Sequence, residues 1–131
     1  MVAELVEIWD PPRPEGEWIV TAVSMWEPKR KLRGFNQAEL IARTLAKKWE
    51  LEYLELLVRT RETKPMYGLN RAQRLANVQG AFRVITNNQT PITKRVVLVD
   101  DVWTSGATMR ECERILTEAG VAKIELLSLA R

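Results

Sequence analysis

Residues 95–100 read RVVLVD, four apolar side chains in succession between a cation and a carboxylate. A strand with one wet face alternates apolar and polar residues, so an unbroken apolar run marks a strand buried on both faces. That pattern belongs to a parallel sheet sandwiched by helices. Three further segments read as strands: WIVTAVSM from Trp18, LEYLELLV from Leu51 and KIELLSLA from Lys123, with AFRVI (81–85) as a smaller one.

Helical periodicity lies between them. Asn36 precedes QAELIARTLAKKW and Glu39 follows three residues later, the spacing of a capping box at a helix start. Ala38, Ile41, Ala42 and Leu45 give that helix one apolar face. A short helical piece is expected at RAQRLANV (71–78), which carries Arg71 and Arg74, and another whose buried face is Met109, Cys112, Ile115, Leu116 and Ala119, stopped by a left-handed cap at Gly120. Strands alternating with helices predict an α/β fold, a mainly parallel sheet flanked by helices. The proline-rich DPPRPEGE (10–17) closes an extended N-terminal segment, residues 1–17, and one domain is expected over 18–131. TNNQTP (86–91) reads as a turn.

Composition narrows the chemistry. The chain of 131 residues has no histidine and one cysteine, Cys112. An internal disulfide, a Ser-His or Cys-His catalytic pair and a zinc site of nitrogen and sulfur ligands are all excluded. Cys112 falls on an apolar helix face and reads as a buried, inert thiol. A net charge of +3 favours anionic partners. No apolar run approaches a bilayer's width, and MVAELVEIWDPPRPEGEW does not read as a secretory leader, so a cytoplasmic location without membrane contact is expected.

The strand RVVLVD runs into DVWTSGAT. In a parallel sheet, ligands gather at the carboxyl ends of strands, where Asp100 and Asp101 fall. Two adjacent carboxylates buried without partners are costly, so they are expected to face water, a cation or a hydroxylated ligand. Ionised carboxylates only accept hydrogen bonds and suit a vicinal diol such as that of ribose. Thr104, Ser105, Gly106, Ala107 and Thr108 then form a loop entering a helix, whose free amides and positive dipole end attract phosphate. Together the halves fit a ribose 5-phosphate. Trp103, between them, reads equally as pocket lining or as packing.

VVLVDDVWTSGAT resembles the phosphoribosyl-diphosphate (PRPP) binding signature of type I phosphoribosyltransferases, and RGFNQAELIA, GLNRAQRLANVQGAF and ECERILTEAGVAKIELLSLAR resemble the ComF, or GntX-like, family associated with competence for DNA uptake. The resemblance implies a Rossmann-like phosphoribosyltransferase core. By the same resemblance, Asp100 and Asp101 are the catalytic pair that holds the ribose hydroxyls, directly or through Mg²⁺, and Thr104, Ser105, Gly106, Ala107 and Thr108 cradle the 5-phosphate. The implied reaction, a step of nucleotide metabolism, displaces pyrophosphate from C1 of the sugar with a nitrogen nucleophile. It needs no protein nucleophile, in keeping with a chain that lacks histidine.

The basic residues Lys29, Arg30, Lys31 and Arg33, after the first strand, are candidates for the pyrophosphate loop, with a solvated charge run as the equal alternative. Arg59, Arg61 and Lys64 lie in a long polar stretch that, by resemblance, folds over the substrate. The implied partners are PRPP and an unassigned nitrogen acceptor. The alternative is a non-catalytic protein that senses PRPP or binds single-stranded DNA, and a homo-oligomer is compatible with either. The sequence departs from the family in three places. Members usually open with a cysteine-rich zinc-binding segment, for which one cysteine does not suffice. Val-Pro-Val-Pro at the first strand's end is Thr21-Ala22-Val23-Ser24, which removes two stiffening prolines. A loop glutamine aligns with Met66. With DDVWTSGAT intact, these changes bear on turnover more than on PRPP binding.

Overall fold

The structure, a computed structural model, describes residues 11–26, 28, 32, 34, 36–85, 95–102 and 106–130. Its elements are β1 (Trp18–Ala22), α1 (Gln37–Trp49), β2 (Glu52–Tyr53), β3 (Leu57–Arg59), α2 (Arg71–Val78), β4 (Phe82–Val84), β5 (Arg95–Val102), α3 (Ala107–Glu118) and β6 (Lys123–Ala130). Four strands form a parallel sheet in the order β2-β1-β5-β6, while β3 and β4 pair antiparallel as a separate ribbon.

The apolar run of β5 is buried as its sequence demands. Alternate residues enter opposite layers: Val96 and Leu98 pack with Met109, Cys112 and Leu116 of α3, and Val97 and Val99 pack with Ile41, Ala42 and Leu45 of α1. Both faces of the sheet are therefore covered. Asn36 caps α1, its side chain accepting from the amides of Ala38 and Glu39, and the Glu39 carboxylate lies 3.3 Å from Arg43 Nε. At the far end Gly120 takes φ +101 after α3, the left-handed turn expected there. No described helix is long and apolar enough to cross a membrane.

Four expectations are corrected. LEYLELLV is two strands in two sheets: β2 pairs with β1, whereas Leu57 pairs with Val84 in the ribbon. The switch between sheets is held by Leu54 N donating to Val20 O at 3.0 Å and Leu56 N donating to Thr21 Oγ1 at 3.3 Å. β1 stops at Ala22, short of Met25, and β5 continues through both aspartates to Val102. Ala119 is exposed because it is the C-cap of α3, past the last turn that packs on the sheet. The turn TNNQTP lies outside the described residues, as do residues 1–10 of the N-terminal segment. The rest of that segment is docked: Pro11 is buried, and Arg13 Nε donates to Trp49 O at 2.8 Å.

Candidate functional site

The chain leaves β1 through α1 to reach β2 on one side, and leaves β5 through α3 to reach β6 on the other. The connections diverge between β1 and β5, so the carboxyl ends of these two neighbours open a crevice, the place where parallel α/β sheets bind ligands. A cleft of about 170 Å³ lies there, lined by Ser24, Asn36, Arg59, Asp100, Asp101 and Thr108 among others.

Asp100 and Asp101 occupy successive positions of β5, and the Asp101 amide donates to Asp100 Oδ1 at 2.8 Å. Burial, followed by the hydrogen bond and like charge of Asp101, pushes the Asp100 carboxyl up to about 7, against the pull of Arg59. At neutral pH, then, the pair resists carrying two full charges. Asp100 also acts on Cys112. That thiol is fully buried, and burial together with the Asp100 charge raises it well above its ordinary range, in agreement with an inert cysteine.

Arg59 ends β3, and its guanidinium stacks over the Phe82 ring at 4.7 Å. Burial pulls it below its ordinary value while Asp100 pulls the other way. Its Nε is buried without a hydrogen-bond partner. The Ser24 hydroxyl is in the same condition. Two residues that line the cleft beside the carboxylates thus each bury one polar atom without a partner. Polar atoms buried without a partner are costly.

The altered first turn is braced without prolines. Val23 N donates to Val99 O at 2.9 Å, and Asn36 Nδ2 donates to Val23 O at 3.2 Å, so the residue that caps α1 also pins the cleft's edge. Gly106 takes φ +78 as the N-cap of α3, with no side-chain capping bond, a conformation that suits glycine. Thr108 lines the cleft, whereas Ala107 lines a different cavity with Arg71, Arg74 and Arg110.

Trp103, Thr104 and Ser105 of the phosphate loop and Lys29, Arg30, Lys31 and Arg33 of the basic loop lie outside the described residues. Of the three cations read as a covering loop, only Arg59 lines the cleft. Arg61 donates to Asn77 O at 2.9 Å and Gln79 O at 3.0 Å, at the end of α2. Lys64 is held through its backbone: its amide donates to Asn77 Oδ1 at 3.0 Å, and its carbonyl accepts from Asn77 Nδ2 at 2.7 Å. Met66 offers its sulfur to the same Asn77 at 3.5 Å and packs against the core. Sequence reasoning missed Ser24 and Asn36 as cleft residues, and it missed the capping box of α2, where Asn70 and Gln73 satisfy each other's amides. The Asn-x-x-Gln spacing was the available signal.

Comparison with known proteins agrees with this geometry. The phosphoribosyl transferase domain family matches residues 33–131. The chain belongs to this family. Its likeness within the family is to ComF-like members. Competence protein F of Haemophilus influenzae is 33% identical over 114 residues, which cover 86% of this chain and 49% of that protein. Competence protein ComFC of Streptococcus pneumoniae is 34% identical over 99 residues, covering 76% and 41% respectively. The chain spans about half the length of the curated relatives it matches. Glutamine PRPP amidotransferase from B. subtilis superposes with a TM-score of 0.61 at 17% identity over 98% of this chain and 25% of that one, a likeness of fold.

Proposed function

We propose that the cleft at the ends of β1 and β5 binds PRPP with Mg²⁺ and serves transfer of the phosphoribosyl group to a nitrogen acceptor, with release of pyrophosphate. The observation that carries this reading is the meeting, at the sheet's switch point, of two adjacent carboxylates with an arginine whose Nε has no partner. Carboxylates only accept and guanidinium only donates, so the first suit a diol and the second a phosphate oxygen. A phosphorylated sugar carries both. The B. subtilis enzyme with this fold has PRPP in its name, which supports the choice of sugar.

The donor set fits a cation that arrives with its substrate. Among the described residues, no group of three or more His, Cys, Asp or Glu is placed to hold a metal ion, so Asp100 and Asp101 supply at most part of a coordination shell. Mg²⁺ is commonly held in this way, by one or two carboxylates with phosphate oxygens and water completing the shell. A cation beside the pair also favours the ionised form that burial and like charge resist at Asp100. When bound it would offset the charge that builds on the departing diphosphate.

In the transfer, the bond from C1 to the diphosphate oxygen breaks, a bond from C1 to the acceptor nitrogen forms, and the proton on that nitrogen passes to water. Asp100 and Asp101 hold the sugar hydroxyls and set negative charge beside a ring that becomes cationic. Arg59 meets phosphate oxygens, and the dipole of α3, entered through Gly106, favours the 5-phosphate.

Calorimetric titration with PRPP and Mg²⁺ tests this. A saturable heat is expected, weakened at least about tenfold by D100N with D101N through loss of charge-assisted hydrogen bonds. Equal binding by wild type and double variant would remove the assignment. Release of pyrophosphate on incubation with nitrogen acceptors then tests transfer. The competence names of the relatives favour a second reading, in which the cleft senses PRPP within DNA uptake. PRPP binding without pyrophosphate release, together with single-strand affinity that falls steeply with salt, is the outcome that selects it.

A further inference from the structure

A second cavity, of about 320 Å³, lies between α2 and α3 and is lined by Arg71, Arg74, Leu75, Ala107 and Arg110. Arg71 is the first residue of α2, with Arg74 one turn on, and Arg110 closes the first turn of α3 from Ala107. Neither first turn contains an acidic residue. Three cations thus crowd the amino ends of two helices, where the dipoles favour anions and disfavour guanidinium. Like charges gathered there repel one another, and an anion joining them would relieve that repulsion.

None arrives from the described residues. Among the described residues, none of these three guanidiniums has a carboxylate or hydrogen-bond partner, and Arg74 Nε is buried with no acceptor. Neighbouring arginines are treated differently. Arg114 pairs with Glu111 and Glu118, and Arg61 donates to the carbonyls that end α2. Leu75, 43% exposed, adds an aliphatic wall beside the three charges.

We propose that this cavity is an anion site for a phosphomonoester whose organic part lies against Leu75. A monoester at neutral pH carries between about −1.5 and −2 charge and three terminal oxygens, which matches three donating forks and two dipole ends. A diester offers one charge and two free oxygens, and bare inorganic phosphate leaves Leu75 uncovered. The volume lies within the range of small-ligand pockets, from about 300 Å³ upward. The site shares the amino end of α3 with the reading above, which gives that end to the 5-phosphate, and goes beyond it in the arginine cluster that α2 brings to the same end.

The experiment follows the Nε–Hε signals of Arg74 and Arg110 by nuclear magnetic resonance as the full chain is titrated with phenyl phosphate, inorganic phosphate and dimethyl phosphate at constant ionic strength. Phenyl phosphate is expected to shift both signals saturably and to bind several-fold more tightly than inorganic phosphate, with dimethyl phosphate weakest. R71Q and R110Q change exposed side chains and leave the packing intact; each is expected to weaken phenyl phosphate at least about tenfold. D100N should leave this affinity unchanged, whatever it does to PRPP. Unmoved signals, equal binding of dimethyl phosphate, or undiminished affinity in both arginine variants would overturn the site. So would an equal loss in D100N, which would place the anion in the aspartate cleft.

Discussion

The amide of Asp101 donates to Asp100 Oδ1 at 2.8 Å, so one acid of the pair is tied to the backbone of the other and both are held at the mouth of the cleft. A turn between strand and helix needs no such arrangement. It sets two acids where their charges oppose each other, a cost that the proposed cation would relieve.

Asp100 makes stability depend on pH in a known direction. Its folded carboxyl keeps a proton to about 7 where an ordinary aspartate releases it at 3.8, so folding takes up a proton between those values. That contribution is fully present below the unfolded value and is lost as pH rises through about 7. D100N abolishes it while still accepting the Asp101 amide. The variant should therefore exceed wild type at pH 8 by on the order of 1–3 kcal/mol, with the gap closing at about pH 4. Urea unfolding of both proteins at the two pH values measures this, and parallel curves would contradict it.

Arg59 separates binding from stability. Its guanidinium stacks on Phe82 and leaves Nε unpartnered, so R59M keeps the apolar contact and removes the orphaned donor. Stability should stay within about 1 kcal/mol of wild type, while affinity for PRPP with Mg²⁺ falls at least about tenfold. R59K should fail to restore affinity, because an ammonium lacks the planar fork that stacks and donates together. Thermal melting beside calorimetry reads the two effects, and rescue by lysine would refute the role given to the fork.

The parts of this architecture legible in sequence are those set by local period. The unbroken apolar run of β5 dictated two covered faces, and the spacing around Asn36 dictated where α1 begins. Asp100 and Asp101 were legible as cleft residues because they fall at the carboxyl end of a buried parallel strand, where such a sheet opens. Arg59 was not legible as a cleft residue. Its position follows from pairing Leu57 with Val84, a contact distant in sequence, and from the break that sends LEYLELLV into two sheets. Local alternation carries no record of such pairing. The arginine cavity was hidden for the same reason, since Arg71 and Arg110 meet only when α2 packs on α3.

Asn36 serves two masters, and its variants should tell them apart. Its Oδ1 caps α1 and its Nδ2 donates to Val23 O. N36A loses both and should cost about 1–3 kcal/mol, the sum of a cap and a buried hydrogen bond. N36D keeps the cap but turns an acceptor toward the Val23 carbonyl and adds negative charge to a cleft already lined by two carboxylates. It should be less destabilised than N36A in chemical unfolding yet bind PRPP with Mg²⁺ more weakly than N36A. If the two variants bind alike, a negative charge at position 36 is not felt in the cleft.

Asn77 governs how far the polar stretch after β3 is free to move. One side chain receives the Lys64 amide, donates to the Lys64 carbonyl and meets the Met66 sulfur. N77A removes all three contacts and leaves Thr60, whose hydroxyl donates to Gly80 O, and Arg61 as side-chain ties to the end of α2 among the described residues. Because the Lys64 contacts are exposed, the global cost should be modest, about 1 kcal/mol. Local opening should increase far more, since segments held by few exposed bonds sit at the low end of protection. Hydrogen exchange at the Lys64 amide should therefore rise at least about tenfold in N77A, with the amides of β5 rising only as far as the global cost requires. A uniform rise across both segments would mean that Asn77 supports the whole domain and does not anchor this stretch specifically.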